Sequence, residues 1–198
     1  MILFKNISNE EPYNEFKKYY DLAYKAKEKN IEAIVISSYS KKNKQVDSRF
    51  VNLKILDNKN FIFFTNYDSP KANQFNEHNQ ISAVFFWSSI NVQIRMKAKI
   101  TKTSYSYSHN YFKKRSKLKN ALAISSNQSK SIDSFEIIKK NYKNAIDNKN
   151  LSICPDYWGG FCFRPFSFEF WRGHENRLNE REVFSFKKEK WVKTIIQP

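Results

Sequence analysis

The sequence predicts an α+β protein built on an antiparallel barrel or strongly curled sheet, and three observations lead there. Short β-branched and aromatic runs recur along the chain with polar stretches between them. A helical stripe precedes them, and a polar segment with helical spacing interrupts them. Strict strand–helix alternation is missing, which argues against a parallel doubly wound sheet.

Residues 11–29 carry Tyr13, Phe16, Tyr20, Ala23 and Ala26 at spacings of three and four, which predicts an amphipathic helix. From Ala33 the period changes. The runs AIVISSYS, SRFVNLKIL, NFIFFTN, QISAVFFW and VQIRMKAKITKT read as strands joined mostly by hairpins. Between the third and fourth runs, SPKANQFNEHN opens with a serine cap and a proline at the first helical position, which predicts a short helix. Residues 104–147 place Tyr107, Tyr111, Phe112, Phe135, Ile138 and Tyr142 at helical spacing and predict two or three helices. After a break at Gly159-Gly160, the strand pattern returns in FCFRPFSFEFW, VFSFKK and WVKTII. No linker or internal repeat divides the chain, so residues 1–198 are expected to form one domain, with the helical insertion at about 104–147.

Composition narrows the function classes. Of 198 residues 40% are hydrophobic and 17% aromatic, far from the composition of a disordered chain. Thirty-five Lys and Arg against 19 Asp and Glu give a formal charge of +16, which suits nucleic acid, anionic lipid or a phosphorylated small molecule and does not choose among them. The basic residues are not concentrated in one segment, which argues against a nucleic-acid binder. Cys154 and Cys162 lack the paired spacing of a zinc site and are too few for a disulfide scaffold, so a soluble protein of the reducing cytoplasm is expected. No window approaches the ~20 apolar residues that cross a bilayer. Three glycines in the chain, Gly159, Gly160 and Gly173, rule out a glycine-rich phosphate loop, so side chains must hold any phosphate.

Several constellations offer such side chains. Arg49 and Lys54 flank bulky residues on the second predicted strand, which is expected to be at least half buried. Five residues apart, they fall on opposite faces of a regular strand, so either a bulge intervenes or they serve different groups of an elongated ligand; strand-end cations reaching solvent would look the same. In Phe64-Thr65…Ser69-Pro70-Lys71 a hydroxyl, a helix N-terminus and an ammonium combine into a phosphate cradle, or form only a capped helix. Tyr111 and Arg115 at i, i+4 share a helix face and suit one anion. Trp87 with Gln93, Gln128-Ser129, and Glu169-Phe-Trp171 with Arg177…Arg181 complete the set.

In this order and spacing, together with Trp158-Gly-Gly-Phe161, the constellations resemble the pyridoxamine 5′-phosphate oxidase family, from about residue 11 to Pro198. The resemblance implies an antiparallel FMN-binding split β-barrel with peripheral helices, a homodimer with FMN at the interface, and oxidation of pyridoxamine or pyridoxine 5′-phosphate to pyridoxal 5′-phosphate. Oxygen would be the acceptor and H2O2 the by-product. It implies cofactor contacts from Arg49, Phe64, Thr65, Ser69, Lys71, Gln93, Gln128, Ser129, Trp171 and Arg181. Substrate contacts would come from Lys54, Tyr111, Arg115, Lys119, Arg177 and Asn179, with no side chain as covalent nucleophile. Three positions depart from the family pattern: Pro70 stands where Arg is usual, Lys119 where Ser is usual, and Asn179 where His is usual. These departures keep two alternatives in view, a same-fold flavoprotein oxidising a phenazine-type aromatic and a non-catalytic FMN or pyridoxal phosphate binder.

Overall fold

A computed structural model describes residues 1–198. Helix α1 (Glu11–Lys25) starts with Glu11 and Pro12 in its first turn and buries Tyr13, Phe16, Tyr19, Tyr20 and Ala23. It stops four residues earlier than the spacing suggests. Lys27 adopts φ 58°, and the N–H groups of Lys27 and Glu28 turn back to the carbonyls of Tyr24 and Ala23, so the chain closes the helix end in a left-handed turn and leaves Ala26 exposed.

Ten strands form one branched sheet: β1 (Leu3–Lys5), β2 (Ala33–Ser40), β3 (Gln45–Asn52), β4 (Ile55–Asp57), β5 (Asn60–Asn66), β6 (Gln80–Trp87), β7 (Val92–Lys102), β8 (Trp158–Arg172), β9 (Glu180–Lys187) and β10 (Lys190–Ile195). The order is β1-β4-β5-β8-β7-β6-β2-β3, with β9 and β10 added beside β8. β8 makes the branch. One edge pairs with β7 from Phe161 to Arg172, while the other pairs first with β5 (Trp158 to Phe163) and then with β9 (Ser167 to Arg172). A bulge between Lys97 and Ala98 falls opposite Pro165, where one partner ends and the next begins; a proline in a central strand is tolerated at such a point because no ladder N–H is needed. The packed face is aromatic: Phe16 meets Phe61, Phe85 and Trp87, and Tyr13 meets Phe168 edge-on at 5.3 Å. Helices α2 (Pro70–Glu77), α3 (Tyr105–Lys114), α4 (Lys117–Ser125) and α5 (Phe135–Asn148) lie around the sheet, and none is long and apolar enough to cross a membrane.

Four expectations are corrected. The run 48–56 is two strands, because Leu53 bonds through its N–H to the Glu32 carbonyl and Lys54 through its N–H to the Ile62 carbonyl, so the chain passes from one neighbour to another between β3 and β4. β3 is an outer strand, and Phe50 is 74% exposed instead of half buried. Gly159 and Gly160 do not break the pattern; they are the second and third residues of β8, opposite Thr65 and Phe64, where Tyr67, Ser108 and Thr103 leave no room for a Cβ. The sheet is also not wholly antiparallel, since β1 and β4 run parallel.

Candidate functional site

The end of β3, Lys54 just before β4, the end of β5, the starts of α2 and β8, and helices α3 and α4 enclose a cleft of about 480 Å³. Its walls carry Lys54, Lys71, Arg115 and Lys119, its floor Phe64, Tyr111 and Trp158, and its rim Phe50, Asn52, Ser116 and Gln128. A smaller hollow of about 220 Å³ continues it along Asn66, Ala123 and Ser126.

The floor is a stack of aromatic rings. Tyr111 lies flat on Phe64 at 3.6 Å between centroids and 7° between planes, and Phe64 lies nearly parallel to Trp158 at 5.4 Å. The Gly159-Gly160 pair permits this, because it lets α3 and the Tyr67 side chain approach β8 closely. The Arg115 guanidinium sits 5.1 Å over the Trp158 ring, and its Nη1 donates to Asn120 Oδ1 at 3.0 Å. No carboxylate pairs with it, and burial lowers its pKa despite the opposing influence of Tyr111.

Lys71, in the first turn of α2, is the most telling group. Its ammonium donates to Thr65 Oγ1 at 3.1 Å, Ser69 Oγ at 3.1 Å and Gln128 Oε1 at 3.2 Å, all neutral oxygens. Burial, with Arg49 nearby, pulls its pKa down to about 8. A partly buried cation without a carboxylate is stabilised by whatever anion can reach it. Ser69 occupies the N-cap position but does not cap; its hydroxyl donates to the Asn66 carbonyl at 2.7 Å. Pro70 has no N–H, and the N–H groups of Ala72 and Asn73 both turn to the Ser69 carbonyl, so the cradle expected at this helix start reduces to side chains and the Lys71 N–H.

The other expected residues divide. Arg49 donates to Ser38 Oγ at 2.6 Å and Gln74 Oε1 at 2.9 Å, behind the cleft wall. Lys54 is bonded to Glu32, which sequence spacing did not single out. Lys119 is exposed at the cleft edge. Ser129, at φ 67°, faces a separate hollow beside α5. Gln93, Trp171 and Arg181 form one row across β7, β8 and β9, distant from this cleft within the chain. Arg181 donates to Glu169 Oε1 through Nε at 2.9 Å and Nη2 at 2.7 Å. Near this row, Arg177 is exposed, and Asn179 accepts the His174 N–H at 3.0 Å, which closes the turn between β8 and β9. Phe50, Val51, Asn52, Ser116 and Trp158 line the cleft without having been expected there; for Trp158, its position before two glycines that pack against α3 was the available signal.

Two family models match successive parts of the chain. Residues 21–148 match the family model described as pyridoxamine 5′-phosphate oxidase, and residues 158–198 match the pyridoxine 5′-phosphate oxidase C-terminal dimerisation region. The chain belongs to the pyridoxamine 5′-phosphate oxidase family. It is thus an oxidoreductase. The pyridoxine/pyridoxamine 5′-phosphate oxidase 1 of Hydrogenovibrio crunogenus is 32% identical over 95% of this chain and 88% of that protein. The pyridoxine/pyridoxamine 5′-phosphate oxidase of Aliarcobacter butzleri is 33% identical over 90% and 85%. Among solved structures, PhzG from Burkholderia lata 383, in complex with tetrahydrophenazine-1-carboxylic acid, superposes with a TM-score of 0.90 at 21% identity, covering 95% of this chain and 93% of that one. A pyridoxamine 5′-phosphate oxidase-related, FMN-binding protein from Nostoc punctiforme superposes at 0.76 with 12% identity, covering 95% and 98%. The family fold is the FMN-binding split barrel, and the ten-stranded branched sheet described above is this chain's version of it.

Proposed function

We propose that this chain is an FMN-dependent oxidase that converts pyridoxamine or pyridoxine 5′-phosphate to pyridoxal 5′-phosphate, with O2 as acceptor and H2O2 as by-product. The observation that carries the proposal is a cleft in which Lys71, Arg115 and Lys119 have no carboxylate partner, above a floor of stacked aromatic rings. Two phosphate monoesters, one on the cofactor and one on the substrate, are the ligands that such a charge distribution suits.

Lys71 fits the phosphate of FMN, since its ammonium is preorganised by three neutral oxygens and lacks a counter-charge. Phe64, Thr65, Ser69 and Gln128 surround it, and Arg49 and Ser129 are assigned to the same end of the cofactor. Lys54, Tyr111, Arg115 and Lys119 are assigned to the substrate's phosphate. When bound, FMN supplies hydride acceptance and re-oxidation by O2. The chain's part is to hold two ring systems in contact and to exclude water from between them, beside the apolar stack of Phe64, Tyr111 and Trp158. No side chain is required as a nucleophile.

The remaining assigned groups, Gln93, Trp171 and Arg181 for the cofactor and Arg177 and Asn179 for the substrate, lie outside the cleft of their own chain. In the proposed homodimer each chain brings this row to the other's cleft, and the match of residues 158–198 to a dimerisation region supports that arrangement. A phenazine-type substrate is the second reading, motivated by Lys119 and Asn179, the two substrate-side departures from the family pattern. Aerobic incubation decides between them. Formation of pyridoxal 5′-phosphate and an equal amount of H2O2 from pyridoxamine 5′-phosphate is the expected result; turnover of a dihydrophenazine carboxylate alone selects the second reading, and turnover of neither leaves a binding protein.

A further inference from the structure

Of the four cations that line the cleft, Lys54 alone is bonded to a carboxylate, that of Glu32. Glu32 lies just before β2, and its main-chain carbonyl accepts the Leu53 N–H at 2.8 Å, so the backbone itself sets the carboxylate beside Lys54. The two side chains are 23% and 27% exposed, between a solvated surface pair and a sealed one. The other Glu32 oxygen meets the Met1 amino group. Burial would raise the Glu32 carboxyl, but the hydrogen bonds from Lys54 and the Met1 amino group outweigh it and keep the group below the usual carboxylate value. Its influence extends into the cleft: burial raises the Tyr111 phenol, Arg115 opposes that, and Glu32 adds to it. On its other side Glu32 borders an open hollow of about 740 Å³ lined by Tyr24, Lys25 and Lys27, and Asn52 borders both spaces. Glu32 therefore stands on a wall between the cleft and a wide, open depression, with room to turn away from Lys54.

We infer that Glu32 is a built-in counter-ion that an incoming phosphate dianion displaces from Lys54, and that it thereby holds down the cleft's affinity for phosphate ligands while leaving that for neutral ligands unchanged. The inference rests on the phosphate reading of the cleft. A carboxylate beside the landing site repels an incoming anion, and a phosphate that also engages Arg115 and Lys119 binds against that cost. Neutral ligands gain nothing from the exchange.

The test is calorimetric titration of the FMN-loaded protein with pyridoxal 5′-phosphate, inorganic phosphate and pyridoxal at low ionic strength. Glu32→Gln is expected to bind both phosphate ligands about 3- to 10-fold more tightly than wild type, with pyridoxal unchanged. Glu32→Asp, which keeps the charge, should stay close to wild type. In a Lys54→Met background, Glu32→Gln should bring no tightening. Weaker or unchanged phosphate binding in Glu32→Gln overturns the inference and makes Glu32 a brace for Lys54; tightening that persists without Lys54 overturns the displacement as well. If Glu32→Gln is too unstable for calorimetry, the rise in melting temperature on adding phosphate must exceed that of wild type, and an equal or smaller rise refutes the inference. Absence of phosphate binding in wild type itself brings down the functional reading of the cleft, whereas normal wild-type binding with an unmoved variant brings down this inference alone.

Discussion

Replacing Lys71 with methionine is expected to weaken FMN binding while leaving the apo fold intact. The ammonium's three acceptors keep other partners: Ser69 Oγ still donates to the Asn66 carbonyl at 2.7 Å, and Thr65 Oγ1 still donates to Gln128 Oε1 at 3.3 Å. Methionine fills a similar volume without a charge to desolvate, so the apo melting temperature should hold or rise. The cofactor loses one charge-assisted contact, worth about 1.5–3 kcal/mol or roughly 10- to 150-fold in affinity. The pH dependence follows from the pKa of about 8, lowered from the free-lysine 10.5. Between those values the unfolded chain holds a proton that the folded chain has released, so this group's destabilising contribution is full below about pH 8 and fades as pH rises toward 10.5. The apo wild type should therefore gain stability relative to Lys71→Met across that window. A bound phosphate raises the lysine pKa again, so FMN binding above about pH 8 should take up a proton, visible as a buffer-dependent calorimetric enthalpy, and the variant should lack this uptake. Fluorescence titration of apoprotein supplies the affinities. An unchanged FMN affinity in Lys71→Met would refute the assignment of the phosphate to this lysine.

Three further outcomes are expected. Lys119→Ser should raise KM for pyridoxamine 5′-phosphate with little change in kcat, because a phosphate contact is the same in ground and transition states; a KM equal to wild type at low ionic strength returns Lys119 to the solvated surface. Gly159→Ala should destabilise the fold by about 1–3 kcal/mol in thermal or denaturant unfolding, since the new Cβ would meet the Tyr67 hydroxyl and lie 2.7 Å from Ser108 Oγ; an unchanged midpoint would show that α3 yields easily. Light scattering should give twice the 23.7 kDa of one chain, because Val46 and Phe50 on β3 and Phe86 on β6 are 68%, 74% and 57% exposed and need a partner surface; a monomer that keeps its flavin contradicts this.

Strand-scale features were legible where the period was clean. AIVISSYS, NFIFFTN and QISAVFFW coincide with β2, β5 and β6 residue for residue, because alternation and turn residues at both ends leave one choice. β1 was not legible: three residues are too few for a period, and its parallel partner β4 lies some fifty positions away. The change of neighbour at Leu53-Lys54 is likewise a tertiary event, although the five-residue separation of Arg49 and Lys54 already indicated that one regular strand could not aim both at one group. In the site, the i, i+4 relation of Tyr111 and Arg115 and the Lys71 segment were readable because helix geometry brings those residues together locally. The Glu32–Lys54 pair and the Arg181–Glu169 pair were not, since each depends on register between segments whose pairing no local pattern dictates.

The central claim is that the cleft brings a flavin and a phosphorylated pyridine together for oxidation. The direct measurement is the absorbance of the purified, FMN-loaded protein mixed anaerobically with pyridoxamine 5′-phosphate. The flavin spectrum is expected to bleach on mixing and to return when O2 is admitted, with pyridoxal 5′-phosphate released. A flavin band that stays unbleached at saturating pyridoxamine 5′-phosphate would contradict it.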